Sequence, residues 1–402
     1  MKRIIFVDDE VSILDGLKRM LRPMRSEWEM AFAPGADAAL SILEAAPYDV
    51  IVTDMRMPGM DGASLLEIVR EKYPSMLRII LSGYTELQAS LRAVPVAHQF
   101  LLKPCDPEML RAGIARATSL GEVLDSKMLT SLVGALRELP SLPRVFAELK
   151  LALERPTTTI EQVAQIVEQD VAVSAKILQL VNSAFFGLAH EVNDLKTAVS
   201  CLGISVLHDL VITLEVFRSL VPNEYVSEEY LEEFHRHAQL TARICAGVAQ
   251  DAHLSPTVVL AALMHDVGKL VIAERTPVHF ARSLAQAEHE GVPLFEVEEK
   301  LIHVSHAEVG AYLLSLWGLP YAIVEAVAHH HHPRRVPTKG MDMILAVYAS
   351  NILAHEVCAT EKHVTPPKFD MEFLQLAGAV DLLPKWRDIA EAALASESRL
   401  VN

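Results

Sequence analysis

The first 120 residues alternate short apolar runs with amphipathic stretches. Apolar runs of strand length fit at residues 3–7, 28–32, 48–53, 77–81 and 98–102. Helical periodicity follows each of them, at 11–22, 36–45, 61–72, 86–93 and 107–118. Five consecutive βα units, with strands apolar on both faces, predict an α/β doubly wound five-stranded parallel sheet. From Pro107 onward no comparable strand occurs, and apolar residues recur at the helical period almost throughout, which predicts an all-α second half. Prolines punctuate it. Leu139 to Pro143 is a break, Pro333 to Gly340 a second, and Pro366 with Pro367 a third. The expected organisation is residues 1–120, a connecting helix at 121–138, a helical domain at 139–335, and C-terminal helices at 336–402 that complete it. The helical stretch before Leu139 is a plausible place for two copies to stack, giving a homodimer.

The ends of the predicted strands carry the chemistry. Asp8, Asp9 and Glu10 follow the first, Asp54 ends the third, Ser82 the fourth and Lys103 the fifth. A parallel sheet gathers the carboxyl ends of its strands along one edge, where ligands bind. Acids, a hydroxyl and a lysine brought to one edge suit the handling of a phosphoryl group.

Composition narrows the partners. The formal net charge is −16, and no basic patch or groove-reading helix stands out, which argues against nucleic acid. Half of the 402 residues are hydrophobic, enough for large cores, yet no apolar run approaches the ~20 residues of a membrane span. The four cysteines, Cys105, Cys201, Cys245 and Cys358, have neither metal-ligand spacing nor the density of a disulfide framework. The N-terminus reads as a strand rather than a signal peptide, so a cytoplasmic location is expected.

With Asp8, Asp9, Asp54, Ser82 and the Lys103-Pro104 pair in this order, residues 1–120 resemble the receiver domain of a two-component response regulator, a flavodoxin-like fold. The resemblance implies that Asp54 is the phosphoacceptor, charged by a cognate histidine kinase. It implies Mg²⁺ held by Asp9, Asp54 and the backbone carbonyl of Arg56, with Asp8 acting through water. It further implies that Lys103 meets a phosphoryl oxygen, that Ser82 and Phe100 form the switch, and that the Lys103-Pro104 bond is cis. Arg56 and Tyr84, both bulky and each two residues beyond a key position, would shield an acyl phosphate from water and slow its hydrolysis.

Residues 139–335 resemble the HDOD domain, an offshoot of the HD phosphohydrolases that include the HD-GYP enzymes. The residues that carry this are Leu139 to Pro143, Ile166 to Asp170, Leu180 to Ala184, Leu202-Gly203, His265 to Lys269, His306 to Gly310 and His329 to Pro333. The resemblance implies a metal site from His237, His265 and Asp266, with His306, His330 and His331 where two-metal relatives place further ligands. Lys269 matches a phosphate contact. Imidazole and carboxylate donors suit Mn²⁺, Fe or Zn²⁺. The set is degenerate at Asn351, where hydrolytic members carry aspartate, and the Gly-Tyr-Pro loop is missing.

His265 and Asp266, expected as neighbours on one helix, admit three readings: a buried hydrogen-bonded pair, a metal site without turnover, or a working phosphohydrolase. The four-histidine run is expected to end a helix whose dipole favours the cationic forms. His253, His279 and His303 read as surface or packing residues, and Asp170 and Asn182 as ties between helices. The function these features favour is a response regulator whose helical half transmits the state of Asp54 to an unknown downstream signalling protein. The alternatives are a phosphorylation-gated, metal-dependent phosphohydrolase acting on a nucleotide or cyclic dinucleotide, and a sensor that binds a nucleotide ligand without cleaving it.

Overall fold

The computed structural model describes the chain apart from residues 83–92, 94, 95, 104–109, 112, 113, 115–126, 135, 137–142, 154, 156, 183–191, 193, 214–226, 256, 318, 338, 339, 359–364, 401 and 402. Its N-terminal half-sandwich is a sheet of five parallel strands: β1 (Lys2–Val7), β2 (Trp28–Ala33), β3 (Val50–Asp54), β4 (Leu77–Ser82) and β5 (Gln99–Leu102). Their order is β2-β1-β3-β4-β5, so the chain reverses direction across the sheet between β1 and β3. Ile4 pairs with Val50, Ile51 with Arg78 and Ile80 with Phe100. Every residue of β3 is buried, as a central strand covered on both faces requires.

Helices α1 (Val11–Met20), α2 (Ala36–Ala45) and α3 (Gly62–Lys72) follow the first three strands. The Asp61 carboxylate caps α3 by accepting from the Ser64 amide. Gly62 is required there, because a Cβ would strike the carbonyl oxygen of Asp54. The observed strands and these helices fall within two residues of the expected bounds. The helices expected at 86–93 and 107–118, and Pro104 with its expected cis bond, lie wholly or largely outside the described residues.

The rest of the described chain is helical, with no strand. Helix α4 (Lys127–Gly134) lies within the expected connector. It is followed by α5 (Pro143–Leu153), α6 (Ile160–Val167), α7 (Val171–Asn182), α8 (Leu195–Thr213), α9 (Glu228–Asp251), α10 (Thr257–Met264), α11 (Val267–Arg275), α12 (Pro277–Glu290), α13 (Leu294–Ile302), α14 (His306–Leu316), α15 (Tyr321–His329), α16 (Met343–Val357), α17 (Met371–Leu376) and α18 (Leu383–Leu400). Capping boxes open α6 at Thr159 with Gln162 and α14 at Ser305 with Glu308. Gly203 interrupts α8 at φ 74°, a left-handed backbone that favours glycine. The core of this half is built where α9 packs on α10 and α16, α11 on α14, and α14 on α15. Helix α18 closes it through the fully buried Trp386. No helix among the described residues is long and apolar enough to cross a membrane.

The two halves meet at the amino-terminal ends of β4 and β5, the side of the sheet away from Asp54. Gln99 Nε2 donates to the carbonyl of Leu316 at 3.2 Å. Gln179 Nε2 donates to the carbonyls of Ala97 and His98 at 3.1 and 3.3 Å. The buried Arg78 guanidinium donates to the carbonyls of Val96 (2.7 Å), Met76 (3.2 Å) and Gly134 (2.9 Å). Burial pushes its pKa down to about 9. Gly134 lies so close to Pro74 that a Cβ would strike its carbonyl oxygen.

Asp170 and Asn182, expected as ties between helices, make local bonds at the two ends of α7. The Asp170 carboxylate accepts from the amides of Ala172 and Val173, and the Asn182 amide bonds both backbone groups of Val192.

Candidate functional site

Two clusters of reactive side chains stand out, one in each half. The first lies at the carboxyl edge of the sheet. Asp8 directly follows β1, Asp54 ends β3 and Lys103 directly follows β5, so the three side chains converge around the central β3, which is next to β1 and one strand removed from β5. Lys103 Nζ is 2.7 Å from Asp8 Oδ2 and also pairs with Asp54 Oδ1. The Arg56 amide donates to Asp54 Oδ2 at 2.9 Å, and the Glu10 amide to Asp8 Oδ1 at 2.9 Å. Burial raises the Asp54 pKa, against the pull of Lys103. Burial also works against a charged Lys103, but its bonds to Asp54 and Asp8 prevail and hold its pKa above the usual value.

Asp9 and Arg56 are exposed beside this group. Phe100 is buried in β5, where a side chain of this size contributes roughly 2–3 kcal/mol. Ser82 ends β4, although its side chain, like the whole of Tyr84, lies outside the described residues. The arrangement offers a nucleophilic carboxylate, acidic neighbours for a hard cation and an ammonium for the incoming charge.

The second cluster lies deep in the helical half, and Asp266 is at its centre. His265 and Asp266 do not share a helix, as expected from the sequence, but occupy the two-residue break between α10 and α11. The break turns both side chains into the space enclosed by α9, α14 and α16. Gly268, the second residue of α11, crosses Gly310 of α14 at backbone contact. A Cβ on Gly268 would strike the His306 carbonyl and the Gly310 amide. This crossing brings His306 to Asp266, with Nε2 3.1 Å from Oδ1.

The remaining predicted residues gather around that pair. His330 Nε2 is 3.6 Å from Asp266 Oδ1, His265 Nε2 3.3 Å from Oδ2 and His237 Nε2 3.9 Å from Oδ2. His331 Nε2 is 2.9 Å from His306 Nε2, and its ring stacks on Phe295 at 4.2 Å. Lys269 Nζ is held on Asp266 Oδ2 at 2.6 Å. Asn351 is buried, with Oδ1 3.0 Å from His237 Nε2.

The ring orientations have identifiable causes. His265 and His330 each point Nδ1 at a carbonyl of the preceding helical turn, Ala262 and Val327, both at 2.7 Å. Their Nε2 atoms have no hydrogen-bond partner among the described residues. His306 directs Nδ1 to Glu298 Oε2 at 2.6 Å, and that oxygen also accepts the His306 amide. Two groups meet the spacing of a metal site: Asp266 with His306, His330 and His331, and Asp266 with His237 and His265.

Burial works against a charged Asp266, yet the neighbouring His265 and Lys269 hold its pKa well below the usual carboxylate value. Burial likewise opposes charge on His306, but Glu298 and Asp266 keep its pKa raised. Burial pushes His330 down to about 3 and lowers His329 and His331. This corrects the expectation for the histidine run. Helix α15 does end at His329, but desolvation outweighs the helix dipole and favours neutral rings.

His330 and His331 also border a cavity of about 580 Å³, together with Phe295, Arg335, Tyr348 and Lys368. His253, His279 and His303 are exposed, in keeping with the expectation of surface or packing residues.

Sequence reasoning missed Glu298 and His355. Glu298 is fully buried at a position of α13 that continues the apolar stripe of Leu294, Leu301 and Ile302, a pattern that could have exposed it. His355 stacks on His237 at 4.2 Å.

Comparison with known proteins agrees with this two-part layout. Residues 4–115 match the response regulator receiver domain and residues 139–333 the HDOD domain. An uncharacterized protein of Treponema pallidum is 23% identical over 227 residues, covering 56% of this chain and 44% of that protein. The hydrogenase transcriptional regulatory protein HoxA of Cupriavidus necator is 38% identical over 109 residues, covering 27% and 22%. Among solved structures, the MmoQ response regulator of Methylococcus capsulatus has a TM-score of 0.48 at 18% identity, with 62% of this chain and 98% of that one covered. The chain spans less than half the length of these two curated relatives. The chain thus joins a response regulator receiver domain to an HDOD domain.

Proposed function

We propose that Asp54 accepts a phosphoryl group from a histidine kinase with Mg²⁺ in the pocket of Asp8, Asp9 and the Arg56 carbonyl, and that the HDOD half passes this state to a partner protein. The observation that carries the reading is Lys103 bridging Asp8 and Asp54, for a lysine already placed at the nucleophile meets the phosphoryl oxygens without reorganisation. Asp8, nearly fully buried, adds negative charge that a divalent cation relieves. The domain joint supports the second half of the reading. Gln99 ties β5 to Leu316 and is the immediate neighbour of Phe100, the expected switch residue. A shift of β5 on phosphorylation therefore reaches α14, the helix that begins with His306.

The test is incubation of the full chain with acetyl phosphate and Mg²⁺, followed by intact-mass measurement. One phosphoryl group per chain is expected, lost in Asp54→Asn; label retained in that variant would refute the assignment. For the output, protein partners captured by the phosphorylated wild type and by Asp54→Asn are compared. An identical set in both states would sink the phospho-switch.

A second reading is that the HDOD half is a metal-dependent phosphohydrolase of a nucleotide or cyclic dinucleotide. The imidazoles around Asp266 beside a 580 Å³ cavity favour it. The amide of Asn351 against His237 weighs the other way, since an amide neither adds negative charge nor acts as a base. Turnover of a chromogenic phosphodiester with Mn²⁺ that disappears in Asp266→Ala would establish this reading.

A further inference from the structure

We infer that the joint between the two halves is a brake on the receiver: while it is closed, the helical half holds β4 and β5 in their present arrangement and slows phosphorylation of Asp54. The inference rests on the reading of Asp54 as phosphoacceptor and adds a regulation that runs from the helical half to the receiver.

The joint is a closed circuit of side chains. Gln99 of β5 donates to the Leu316 carbonyl at 3.2 Å. The next residue, Trp317, lies under the Lys176 ammonium, whose nitrogen is 4.7 Å from the ring centroid. Lys176 Nζ donates to Gln179 Oε1 at 3.0 Å, which turns the other end of that amide toward the receiver. There Gln179 Nε2 donates to the carbonyls of Ala97 and His98, the two residues before Gln99. Each half thus contributes one glutamine that donates to main-chain carbonyls of the other. Gln99, Lys176, Gln179 and Trp317 are all buried, and hydrogen bonds shielded from water strengthen one another in such a network.

The grip falls on the two strands that end beside Asp54. Arg78 is the second residue of β4 and Ser82 its last, while Gln99 opens β5 and Lys103 directly follows it. The two strands are paired from Ile79 with Gln99 to Ser82 with Leu102. Four residues of extended chain span only about 13 Å, so a displacement at Lys103 or Phe100 is felt at Gln99. Helix α4 adds a wedge. Its Gly134 abuts the Pro74 carbonyl and is held by Arg78, and the helix packs on α11 and α14.

The circuit is complete in the arrangement in which Lys103 spans Asp8 and Asp54. Any shift of β5 that accompanies phosphorylation strains it, so the joint favours the present arrangement over the shifted one. Receivers with a shifted β5 are kept rare, and transfer that draws on them is slowed by that fraction.

The test uses the full chain. Phosphorylation by acetyl phosphate with Mg²⁺ is followed over time by intact mass in the wild type, Gln99→Met and Gln179→Met. Methionine keeps an unbranched, flexible side chain and removes the donor. Each variant is expected to take up the phosphoryl group about two- to tenfold faster than the wild type, the range that loss of one hydrogen bond gives. Trp386→Phe serves as the control for stability alone. It loosens the helical core from α18, which packs on α9 and α16, and should react at the wild-type rate. Thermal unfolding shows which variants are folded, and one folded glutamine variant suffices for the comparison. A folded variant that reacts no faster than the wild type overturns the brake, as does an equal acceleration in Trp386→Phe. A wild type that takes up no phosphoryl group defeats the reading of Asp54 and the brake together, whereas a reactive wild type with unaltered variants defeats the brake alone.

Discussion

Arg78 Nη2 donates to the carbonyl of Gly134 at 2.9 Å, so a buried guanidinium of β4 holds the end of helix α4. Among the described residues, backbone carbonyls and His98, with no carboxylate, surround this side chain. Arg78→Leu would leave the carbonyls of Val96 and Gly134 buried without their donor. A loss of about 3 kcal/mol is expected, from roughly 1–3 kcal/mol per orphaned acceptor. Urea unfolding of the full chain measures it, and a loss below about 1 kcal/mol would show that the joint does not depend on this residue.

His98 makes the same joint acid-sensitive. Its ring nitrogens stand 3.1 Å from the Arg78 amide and 2.8 Å from Arg78 Nη2. Burial first, then the cations Arg78 and Lys176, holds its pKa well below the ordinary 6.5. The folded protein therefore keeps His98 neutral, while the unfolded chain takes up a proton as the pH falls through 6.5. Stability is fully present above that value and is lost on acidification toward the folded pKa. Between pH 7.5 and 5.5 the wild type should lose about 1 kcal/mol more than His98→Gln, read from denaturation midpoints at the two values.

Glu298→Gln keeps the shape of the side chain but weakens its hold on the His306 Nδ1 hydrogen. Affinity for Zn²⁺ should fall about 10–100-fold with the fold intact, as loss of an outer carboxylate partner does in other histidine sites. Competition against a chromogenic chelator gives the number, and an unchanged affinity would separate Glu298 from the site.

Asn351→Asp is expected to gain rather than lose. The new carboxylate would face His237 and supply the missing charge, raising the Mn²⁺ bound per chain above that of the wild type. Elemental analysis after gel filtration reads the stoichiometry.

The phosphorylated receiver should lose its phosphoryl group slowly. Arg56, exposed beside Asp54 with its amide on the carboxylate, puts bulk where water must approach. A half-life of only seconds in the purified protein would contradict this, and Arg56→Gly should shorten it severalfold.

Much of this was legible in the sequence because it is local. Strands β1 to β5 announce themselves as apolar runs, and Asp54 and Lys103 are placed by standing at the ends of two of them. Asp266 and the histidines were recognisable as a set, since each sits in a short motif. The relations between distant segments were not legible. Arg78 reads as a charge inside an apolar run until Gly134 arrives 56 residues later to receive it. Gln99 and Gln179 read as ordinary polar residues, because their partners are backbone carbonyls of another domain, which leave no mark in composition. Even the helix break at His265 was hidden, since apolar residues dominate on both sides of it and their period does not show the turn.

The contact between Gly268 and Gly310 has a consequence for how the helical half can vary. Two main chains that touch have no slack, so the gap from Asp266 to His306 is gauged by peptide backbone rather than by side chains that can be exchanged. Residues around the cluster can drift, as Asn351 illustrates, and the calibre of the opening stays the same. Widening it requires a larger residue at one of these two glycines, and that single step would wedge α11 from α14 and part the cluster in one move.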